Sequence, residues 1–189
     1  MGVGCADAYA PGVPANPHAP KVVLVGPPGS GKSTVARALG EALGVAVRES
    51  DTDVERAAGK PIFEIFVDDG DARFRDLERE AVLTALAVHD GVLALGGGAV
   101  LDPGAQDALA AYAALGGVVV FLDVSLAHAS PRVGFNQARP LSMGNPRSQW
   151  QKLMEARRPV YRQVATRVVD TDGRTPAEVA QEILDALQA

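Results

Sequence analysis

The sequence contains one cysteine, three histidines and few aromatic residues, and it has no excess of positive charge. The lone cysteine, Cys5, excludes an intramolecular disulfide and a metal site made of cysteines alone, and the histidines show no metal-ligand spacing. Aromatic residues make up 5% of the chain, which disfavours a stacking surface for single-stranded nucleic acid. The net charge of −5 also disfavours a nucleic-acid partner, because such binders are usually basic.

No apolar run approaches the roughly 18 to 20 residues that a membrane-spanning helix needs. The chain of 189 residues is long enough for one domain with its own core. Residues 1–20 are rich in glycine, proline and alanine, and they lack the basic and apolar regions of a signal peptide. We therefore predict a disordered extension over residues 1–20 and a single domain over residues 21–189. The domain is expected to be cytoplasmic and monomeric, with no nucleic-acid or membrane partner.

Short apolar runs alternate with amphipathic segments along the rest of the chain. The runs predict strands at residues 21–25, 45–48, 92–95, 118–122 and 167–169. Helical spacing predicts helices at residues 32–43, 61–67, 71–89, 103–113, 126–133, 149–164 and 175–187. This alternation is typical of an α/β fold, in which helices cover both faces of a parallel sheet.

A phosphate-binding motif lies between the first predicted strand and the first predicted helix. Residues 26–33 read G-P-P-G-S-G-K-S and match G-x-x-x-x-G-K-[ST] in full. The glycines let backbone N–H groups turn towards phosphates, and the helix N-terminus adds its dipole. Lys32 would place a positive charge on the β- and γ-phosphates, and Ser33 would offer a hydroxyl to Mg²⁺. The motif therefore predicts a nucleotide site.

Two carboxylates follow the second predicted strand in the segment Asp51-Thr52-Asp53. In an extended stretch, side chains at positions i and i+2 face the same way. One carboxylate could then hold the water shell of Mg²⁺, and the other could meet a substrate hydroxyl. The alternative is a polar turn that caps the next helix, because aspartate is a favourable N-cap residue. The nearby phosphate loop favours the first interpretation, since strand ends converge on one crevice.

A triple glycine and a loop arginine complete the candidate features. Gly96-Gly97-Gly98 follows a predicted strand, and it is either a simple strand-exit turn or a bare wall that hydrogen-bonds a small polar ligand. Arg139 lies in a polar loop between two predicted helices. Such a loop could close over a nucleotide as a lid.

From Lys21 onwards the sequence resembles the shikimate kinases. The resemblance rests on the phosphate loop together with D-T-D at 51–53, F-R-D-L-E at 74–78, L-G-G-G-A-V at 95–100, R-P-L at 139–141 and R-R-P-V-Y at 157–161. It implies a five-stranded parallel sheet of the nucleoside-monophosphate-kinase type, with a lid loop. It also implies ATP-dependent phosphorylation of the 3-hydroxyl of shikimate, in aromatic amino-acid biosynthesis, with Mg²⁺ as the cofactor.

The resemblance further implies a role for individual residues. Lys32, Asp53 and Arg139 would be catalytic, and Ser33 and Asp51 would hold the metal. The shikimate carboxylate would pair with Arg75 and Arg157, because a guanidinium matches a carboxylate with two parallel hydrogen bonds. Asp53, Gly97 and Gly98 would complete the substrate site, and Phe66 and Phe74 would be its apolar walls. ATP would be bound by Gly29, Ser30, Gly31, Lys32, Ser33, Thr34, Arg132, Arg139 and Arg174.

Two other functions remain open from the residues alone. The first is a different small-molecule kinase of the same fold, for example one that acts on gluconate, but this would not explain the paired arginines beside a triple glycine. The second is a nucleotide-binding module without activity, which the intact Lys32, Ser33 and Arg139 disfavour. No carboxylate ends the predicted strand at 92–95, so Asp51 is the expected metal ligand.

Overall fold

The computed structural model describes residues 18–129, 132 and 146–188. Within them, five strands form one sheet with the order β2-β3-β1-β4-β5. All four neighbouring pairs are parallel, which confirms the predicted fold class. The strands are β1 (Val22–Val25), β2 (Val47–Glu49), β3 (Val92–Ala94), β4 (Val119–Asp123) and β5 (Arg167–Asp170).

Helices connect the strands and cover both faces of the sheet. They are α1 (Lys32–Leu43), α2 (Ser50–Ala58), α3 (Ile62–Asp68), α4 (Gly70–Val88), α5 (Pro103–Ala114), α6 (Leu126–Ala129), α7 (Pro146–Val164) and α8 (Pro176–Gln188), with a 3₁₀ turn at Ala99–Leu101. The side chains of β1 alternate between two cores. Val22 and Leu24 pack with α1 and α8, and Val23 and Val25 pack with α4, α5 and α7. This alternation follows from the two-residue period of a strand.

The central position of β1 places the phosphate loop at the middle of the sheet. The chain leaves β1 towards the β2 edge, returns through β3, and later passes to β4 and β5 on the other side. A change in the direction of winding opens a crevice at the carboxyl ends of the central strands, where ligands bind in open α/β sheets. The phosphate loop follows β1 directly and therefore lies in that crevice.

The largest difference from the sequence prediction is α2. Residues 51–53 were expected to be extended, but α2 begins at Ser50 with no loop after β2. Successive helical residues are about 100° apart around the axis, so Asp51 and Asp53 differ by about 200° and point in nearly opposite directions. The expectation that these two carboxylates face the same way is therefore wrong.

The folded body begins earlier than Lys21. Ala19 is buried, and the Tyr112 hydroxyl donates a 2.7 Å hydrogen bond to the carbonyl of Pro20. The Lys21 N–H donates to the carbonyl of Gly91 at 2.9 Å. Contacts with the folded body thus begin two residues before the predicted boundary, and residues 1–17 lie outside the described residues.

The last helix begins with the capping box that its sequence suggests. The Glu178 N–H donates to Thr175 Oγ1 at 3.3 Å, and the Thr175 N–H donates to Glu178 Oε2 at 2.8 Å. This backbone hydrogen bond is the main reason that the pKa of Glu178 is lowered. Among the helices that the structure describes, none is long and apolar enough to cross a membrane.

Candidate active site

The phosphate loop has the backbone conformation that an anion cradle requires. Gly29 and Gly31 have φ values of 83° and 91°, in the left-handed region that favours glycine. Gly26 is required for a different reason, since a Cβ there would lie 2.7 Å from the carbonyl oxygen of Leu122 on β4. The Lys32 ammonium donates to the carbonyls of Gly26 and Pro27 at 2.8 and 3.1 Å. The Lys32 ammonium thus lies at the phosphate loop, where it is expected to bind phosphates.

A cavity of about 380 Å³ opens above this loop. Its walls come from the phosphate loop, from the junction between β2 and α2, and from the end of β3. They are formed by Pro28, Gly29, Gly31, Lys32, Ser33, Thr34, Glu49, Asp51, Ala94, Leu95, Gly96 and Arg132. The structure therefore brings together the predicted phosphate-binding residues, one of the two predicted aspartates and a carboxylate that was not predicted.

The unpredicted carboxylate is Glu49, the last residue of β2. Its Oε2 accepts a 2.8 Å hydrogen bond from the hydroxyl of Ser33. The hydroxyl and the carboxylate thus meet at the wall of the phosphate-binding cavity. Sequence reasoning missed Glu49, although Glu49-Ser50-Asp51 repeats the acid-hydroxyl-acid pattern of Asp51-Thr52-Asp53 two residues earlier.

Asp51 lies against the first residue of the triple glycine. A Cβ on Gly96 would collide with Asp51 Oδ1 and would lie 3.0 Å from Glu78 Oε1. The Gly96 N–H donates a 2.8 Å hydrogen bond to the hydroxyl of Ser50, which is completely buried. The absence of a side chain at Gly96 is therefore a packing requirement, because the backbone of α2 and its aspartate fill that space. The role of the triple glycine as a wall that hydrogen-bonds a polar ligand stays a prediction.

Asp53 faces away from this cavity. Its Oδ2 accepts a 2.5 Å hydrogen bond from Arg48 Nε, and its Oδ1 accepts one of 2.7 Å from Arg56. It lines a separate cavity of about 470 Å³ on the outer side of β2, together with Arg37 and both of these arginines. The prediction that Asp53 meets the substrate and acts in catalysis is therefore corrected, since the helical turn that begins at Ser50 directs it to the opposite side.

Arg75 reaches the triple glycine from α4. Its NH1 donates a 2.6 Å hydrogen bond to Glu78, whose carboxylate is almost fully buried. A Cβ on Gly98 would lie 2.5 Å from the same nitrogen, so this guanidinium rests on the glycine backbone. Glu78 is one helical turn away, at the i+3 position, and orients the guanidinium.

Arg157 reaches the same wall from α7. Its NH1 donates a 3.1 Å hydrogen bond to the carbonyl of Gly97, and the buried hydroxyl of Tyr161 donates to the same oxygen at 2.5 Å. A Cβ on Gly97 would lie 3.1 Å from Pro28 Cδ, so this wall also touches the phosphate loop. Two guanidinium groups from distant parts of the sequence thus meet at Gly97 and Gly98, beside the phosphate-binding cavity.

Phe66 and Phe74 pack against each other near these arginines. Their ring centroids are 4.4 Å apart, and the Arg75 guanidinium lies 5.0 Å from the centroid of Phe74. Phe74 is fully buried, whereas Phe66 keeps partial exposure. Phe74 is therefore part of the core beneath the site, as the sequence allowed, and the role of Phe66 as an apolar wall stays a prediction.

The predicted ATP-contacting arginines have different positions in the structure. Arg132 lines the phosphate-binding cavity. Arg174 is not among its lining residues: its guanidinium donates to Glu182 at 2.6 Å and to the carbonyls of Asp170 and Glu178, both at 3.0 Å. Arg139 and the rest of the predicted lid lie outside the described residues. The roles of Arg139 and Arg174 therefore remain predictions.

The part of the chain that the structure describes contains no cluster of three or more histidine, cysteine, aspartate or glutamate side chains suited to hold a metal ion. Magnesium at a nucleotide site does not need one, because it keeps several waters and uses one or two protein oxygens together with substrate phosphates. The Ser33 hydroxyl and the Glu49 carboxylate, 2.8 Å apart, fit this requirement. Asp51 is the nearest further carboxylate on the same wall.

This fold and phosphate loop define a P-loop nucleotide-dependent kinase of the nucleoside-monophosphate-kinase type. Comparison with known proteins identifies the family, since the shikimate kinase family model matches residues 28–188. A shikimate kinase of Streptomyces coelicolor is 56% identical over 170 residues, which cover 90% of this chain and 96% of that protein. The chain therefore belongs to the shikimate kinase family and is an ATP-dependent kinase.

Solved structures give the same assignment. A shikimate kinase from Acinetobacter baumannii in complex with shikimate matches with a TM-score of 0.82 and 33% identity, over 89% of this chain and 92% of that one. A gluconokinase from Sinorhizobium meliloti matches less closely, with a TM-score of 0.57 and 26% identity over 91% and 92% of the two chains. The comparisons thus favour the first predicted function over the alternative of a gluconate kinase.

Proposed function

We propose that this chain transfers the γ-phosphoryl group of ATP to the 3-hydroxyl of shikimate, with Glu49 at the metal and Asp51 at the acceptor hydroxyl. The observation that carries the proposal is the meeting of Arg75 and Arg157 at the triple glycine, next to the phosphate-binding cavity. Two guanidinium groups suit a carboxylate, and a nearby aspartate suits a hydroxyl. Shikimate is a small ring that carries both groups.

On the donor side, the loop residues Gly29, Ser30, Gly31 and Thr34 are proposed to bind the phosphates of ATP. Lys32 exchanges its two carbonyl partners for phosphate oxygens and neutralises charge that builds up during transfer. Arg139, from the predicted lid, is proposed to approach the same phosphoryl group. Arg132 and Arg174 are proposed to flank the nucleotide base.

Mg²⁺ is the proposed cofactor, held by Ser33 and Glu49. When bound, it would neutralise charge on the β- and γ-phosphates and orient them. The support is the 2.8 Å contact between the Ser33 hydroxyl and Glu49 Oε2 at the cavity wall. This replaces the earlier expectation of Asp51 as the metal ligand, because Asp51 points on towards Gly96 and the acceptor side.

On the acceptor side, Arg75 and Arg157 hold the carboxylate of shikimate, and the Gly97 and Gly98 backbone lies along the ring. Asp51 accepts a hydrogen bond from the 3-hydroxyl and orients its oxygen towards the γ-phosphorus. As the new oxygen–phosphorus bond forms, the bond from the γ-phosphorus to the oxygen that leaves with ADP breaks. The hydroxyl proton passes to the Asp51 carboxylate.

An assay of ADP release tests this function. The full chain is supplied with ATP and Mg²⁺, and with shikimate, gluconate or no acceptor. We expect ADP release that depends on shikimate, together with a product that carries phosphate on the 3-hydroxyl by phosphorus and proton magnetic resonance. Equal ADP release without an acceptor would contradict the proposal, and so would a preference for gluconate.

The two arginines give a prediction for substrate binding. Arg157→Ala is expected to raise the KM for shikimate about ten- to a hundredfold and to leave the KM for ATP nearly unchanged, because one charge-assisted pair is worth about 1.5–3 kcal/mol. Arg75→Ala should do the same and also lower the melting temperature, since it removes the 2.6 Å ion pair with the buried Glu78 carboxylate. The measurement is steady-state kinetics with each substrate varied in turn.

Arg73→Ala is the matched control for these variants. Arg73 lies on α4 two residues from Arg75, and it is exposed. It should change neither KM by more than about twofold, as is usual for a surface substitution. An equal effect of Arg157→Ala on both substrates would mean that this arginine supports the whole crevice rather than the acceptor.

We further propose a cytoplasmic monomer, preceded by an extension without a role in catalysis. A cytoplasmic location is supported by the phosphoryl donor, because ATP is a cytoplasmic metabolite. A monomer is supported by the large exposed apolar side chains of the described residues, since they are spread over several elements, with at most two on any one helix or strand. Size-exclusion chromatography with light scattering measures the oligomeric state.

A further inference from the structure

The junction between β2 and α2 carries both carboxylates of the proposed mechanism. Glu49 is the last residue of the strand and Asp51 is the second residue of the helix, with Ser50 between them. No loop separates β2 from α2, so a movement of the helix relative to the strand displaces both carboxylates. The angle between strand and helix therefore sets the distance from the metal-binding carboxylate to the acceptor-binding carboxylate.

Little else in the sheet holds this junction in place. β2 has three residues and pairs only with β3 among the described strands, as Val47 with Val92, Arg48 with Leu93 and Glu49 with Ala94. On the cavity side, the Ser50 hydroxyl ties the start of α2 to the Gly96 N–H. The opposite side of β2 is the edge of the sheet, and α2 itself packs on α3 and α4 through the buried Val54. A contact that joins β2 directly to α2 on this side therefore has to come from side chains.

Arg48 and Asp53 supply that contact. Side chains alternate along a strand, so Arg48 points to the face opposite Glu49, and the helical turn places Asp53 opposite Asp51. The Arg48 Nε–Asp53 Oδ2 distance is 2.5 Å, and both side chains are largely buried, with exposed fractions of 25% and 9%. The ion pair thus spans the junction from strand to helix on the side away from the reacting groups.

We propose that Arg48 and Asp53 are positioning residues that clamp the angle between β2 and α2 and thereby set the separation of Glu49 and Asp51. The proposal rests on the proposed function of those two carboxylates. Asp53 would then act indirectly, because its ion pair with Arg48 fixes the position of α2 and so of Asp51. A displacement of about 1 Å at a reacting group can cost up to about a hundredfold in rate, so a loosened junction should have a measurable effect.

The chain offers a matched comparison within the same cluster. Asp53 has a second partner, Arg56, whose NH1 lies 2.7 Å from Oδ1. Both residues of that pair belong to α2, so it does not span the junction, and Arg56 is 72% exposed. Arg48→Gln and Arg56→Gln each remove one cation from the same carboxylate. Only Arg48→Gln removes an ion pair between β2 and α2, because Arg56 belongs to the same helix as Asp53.

The experiment compares Arg48→Gln, Asp53→Asn and Arg56→Gln in the full chain. For each, the KM for shikimate, the Mg²⁺ concentration at half-maximal rate and the affinity for ADP in the absence of metal are measured. We expect Arg48→Gln and Asp53→Asn to raise the first two quantities by roughly three- to tenfold. Arg56→Gln should raise them less than about twofold, and metal-free ADP affinity should stay unchanged throughout, since the phosphate loop is not part of the junction.

Arg48→Lys keeps the experiment informative if Arg48→Gln does not fold. The ammonium retains the charge but not the guanidinium geometry, so its effects should fall between the wild type and Arg48→Gln. Equal effects of Arg48→Gln and Arg56→Gln would overturn the clamp, and so would a parallel loss of metal-free ADP affinity, which would indicate a general loss of structure.

Failure of the clamp is distinguishable from failure of the proposed function. Wild-type enzyme that does not use shikimate would refute the function. In that case the Mg²⁺ dependence of ATP binding, followed by calorimetry in the same variants, still tests whether the junction controls Glu49. A shift of that dependence in Arg48→Gln but not in Arg56→Gln would support the clamp, and its absence would overturn it.

Discussion

Lys32→Ala is expected to lower kcat by at least about 10²- to 10³-fold, with the fold retained. Phosphoryl transfer relies on positioning and charge neutralisation, and removal of one preorganised donor at a site of developing charge costs about this much. Lys32 already donates to the Gly26 and Pro27 carbonyls at 2.8 and 3.1 Å, so its ammonium is held at the loop before ATP arrives. Alanine at the first position of α1 preserves the helix, because it is the best helix former.

Kinetics and circular dichroism together check this prediction. Lys152→Ala is the matched control, because Lys152 is exposed on α7 and the same side chain is truncated within a helix. It should have nearly wild-type kcat. Wild-type turnover by Lys32→Ala would refute the assignment of the phosphate loop, whereas a loss of helical signal would show that the lysine acts through the structure of the loop.

Asp51→Asn is expected to lower kcat by about 10²- to 10⁴-fold, which is the usual contribution of a positioned general base. The amide keeps the size of the carboxylate but loses its charge and most of its basicity. ATP affinity should hardly change, because Asp51 points past the phosphate loop towards Gly96. Steady-state kinetics together with ATP binding by calorimetry separates the two effects.

Substitutions of the two neighbouring carboxylates, Glu49 and Asp53, should have effects that differ from those of Asp51→Asn. Glu49→Gln should raise the Mg²⁺ requirement, and excess metal should restore part of the rate, since its carboxylate contacts the Ser33 hydroxyl. Asp53→Asn should lower kcat far less than Asp51→Asn does, because its carboxylate is bound to Arg48 and Arg56 on the outer side. If Asp53→Asn abolished turnover and Asp51→Asn did not, the original assignment from the sequence would be restored.

The sequence predicted most of the fold because the strands and helices carry strong local patterns. The strand Val119–Asp123 is a continuous apolar run, as a strand buried on both faces must be. The helix Lys32–Leu43 lies where its periodicity places it, between the phosphate loop and Gly44, whose φ of 65° ends the helix. At α8, Thr175 and Glu178 form a capping box whose hydrogen bonds span three residues. All of these signals are local.

The structure brings one predicted set of distant site residues together and separates another. Arg75 and Arg157 do meet at the triple glycine, and the resemblance to a family, rather than any local pattern, supplied that expectation. In the proposed site, the two carboxylates lie two residues earlier than the sequence prediction placed them. The segment Glu49-Ser50-Asp51-Thr52-Asp53 contains the acid-hydroxyl-acid pattern twice, and nothing in the five residues distinguishes the two copies.

The sequence by itself determined an α/β fold with a phosphate loop, because each of those features depends on side chains close together in the chain, and the family resemblance added the kinase activity. Only the tertiary structure decided which carboxylates line the cavity above the phosphate loop. That choice depends on where β2 ends, which is set by its pairing with β3 and by the hydrogen bond from the Gly96 N–H to Ser50. Gly96 lies 46 residues from Ser50, so this contact forms only when the sheet assembles. It turns Asp51 towards the triple glycine and Asp53 towards Arg48 on the opposite side.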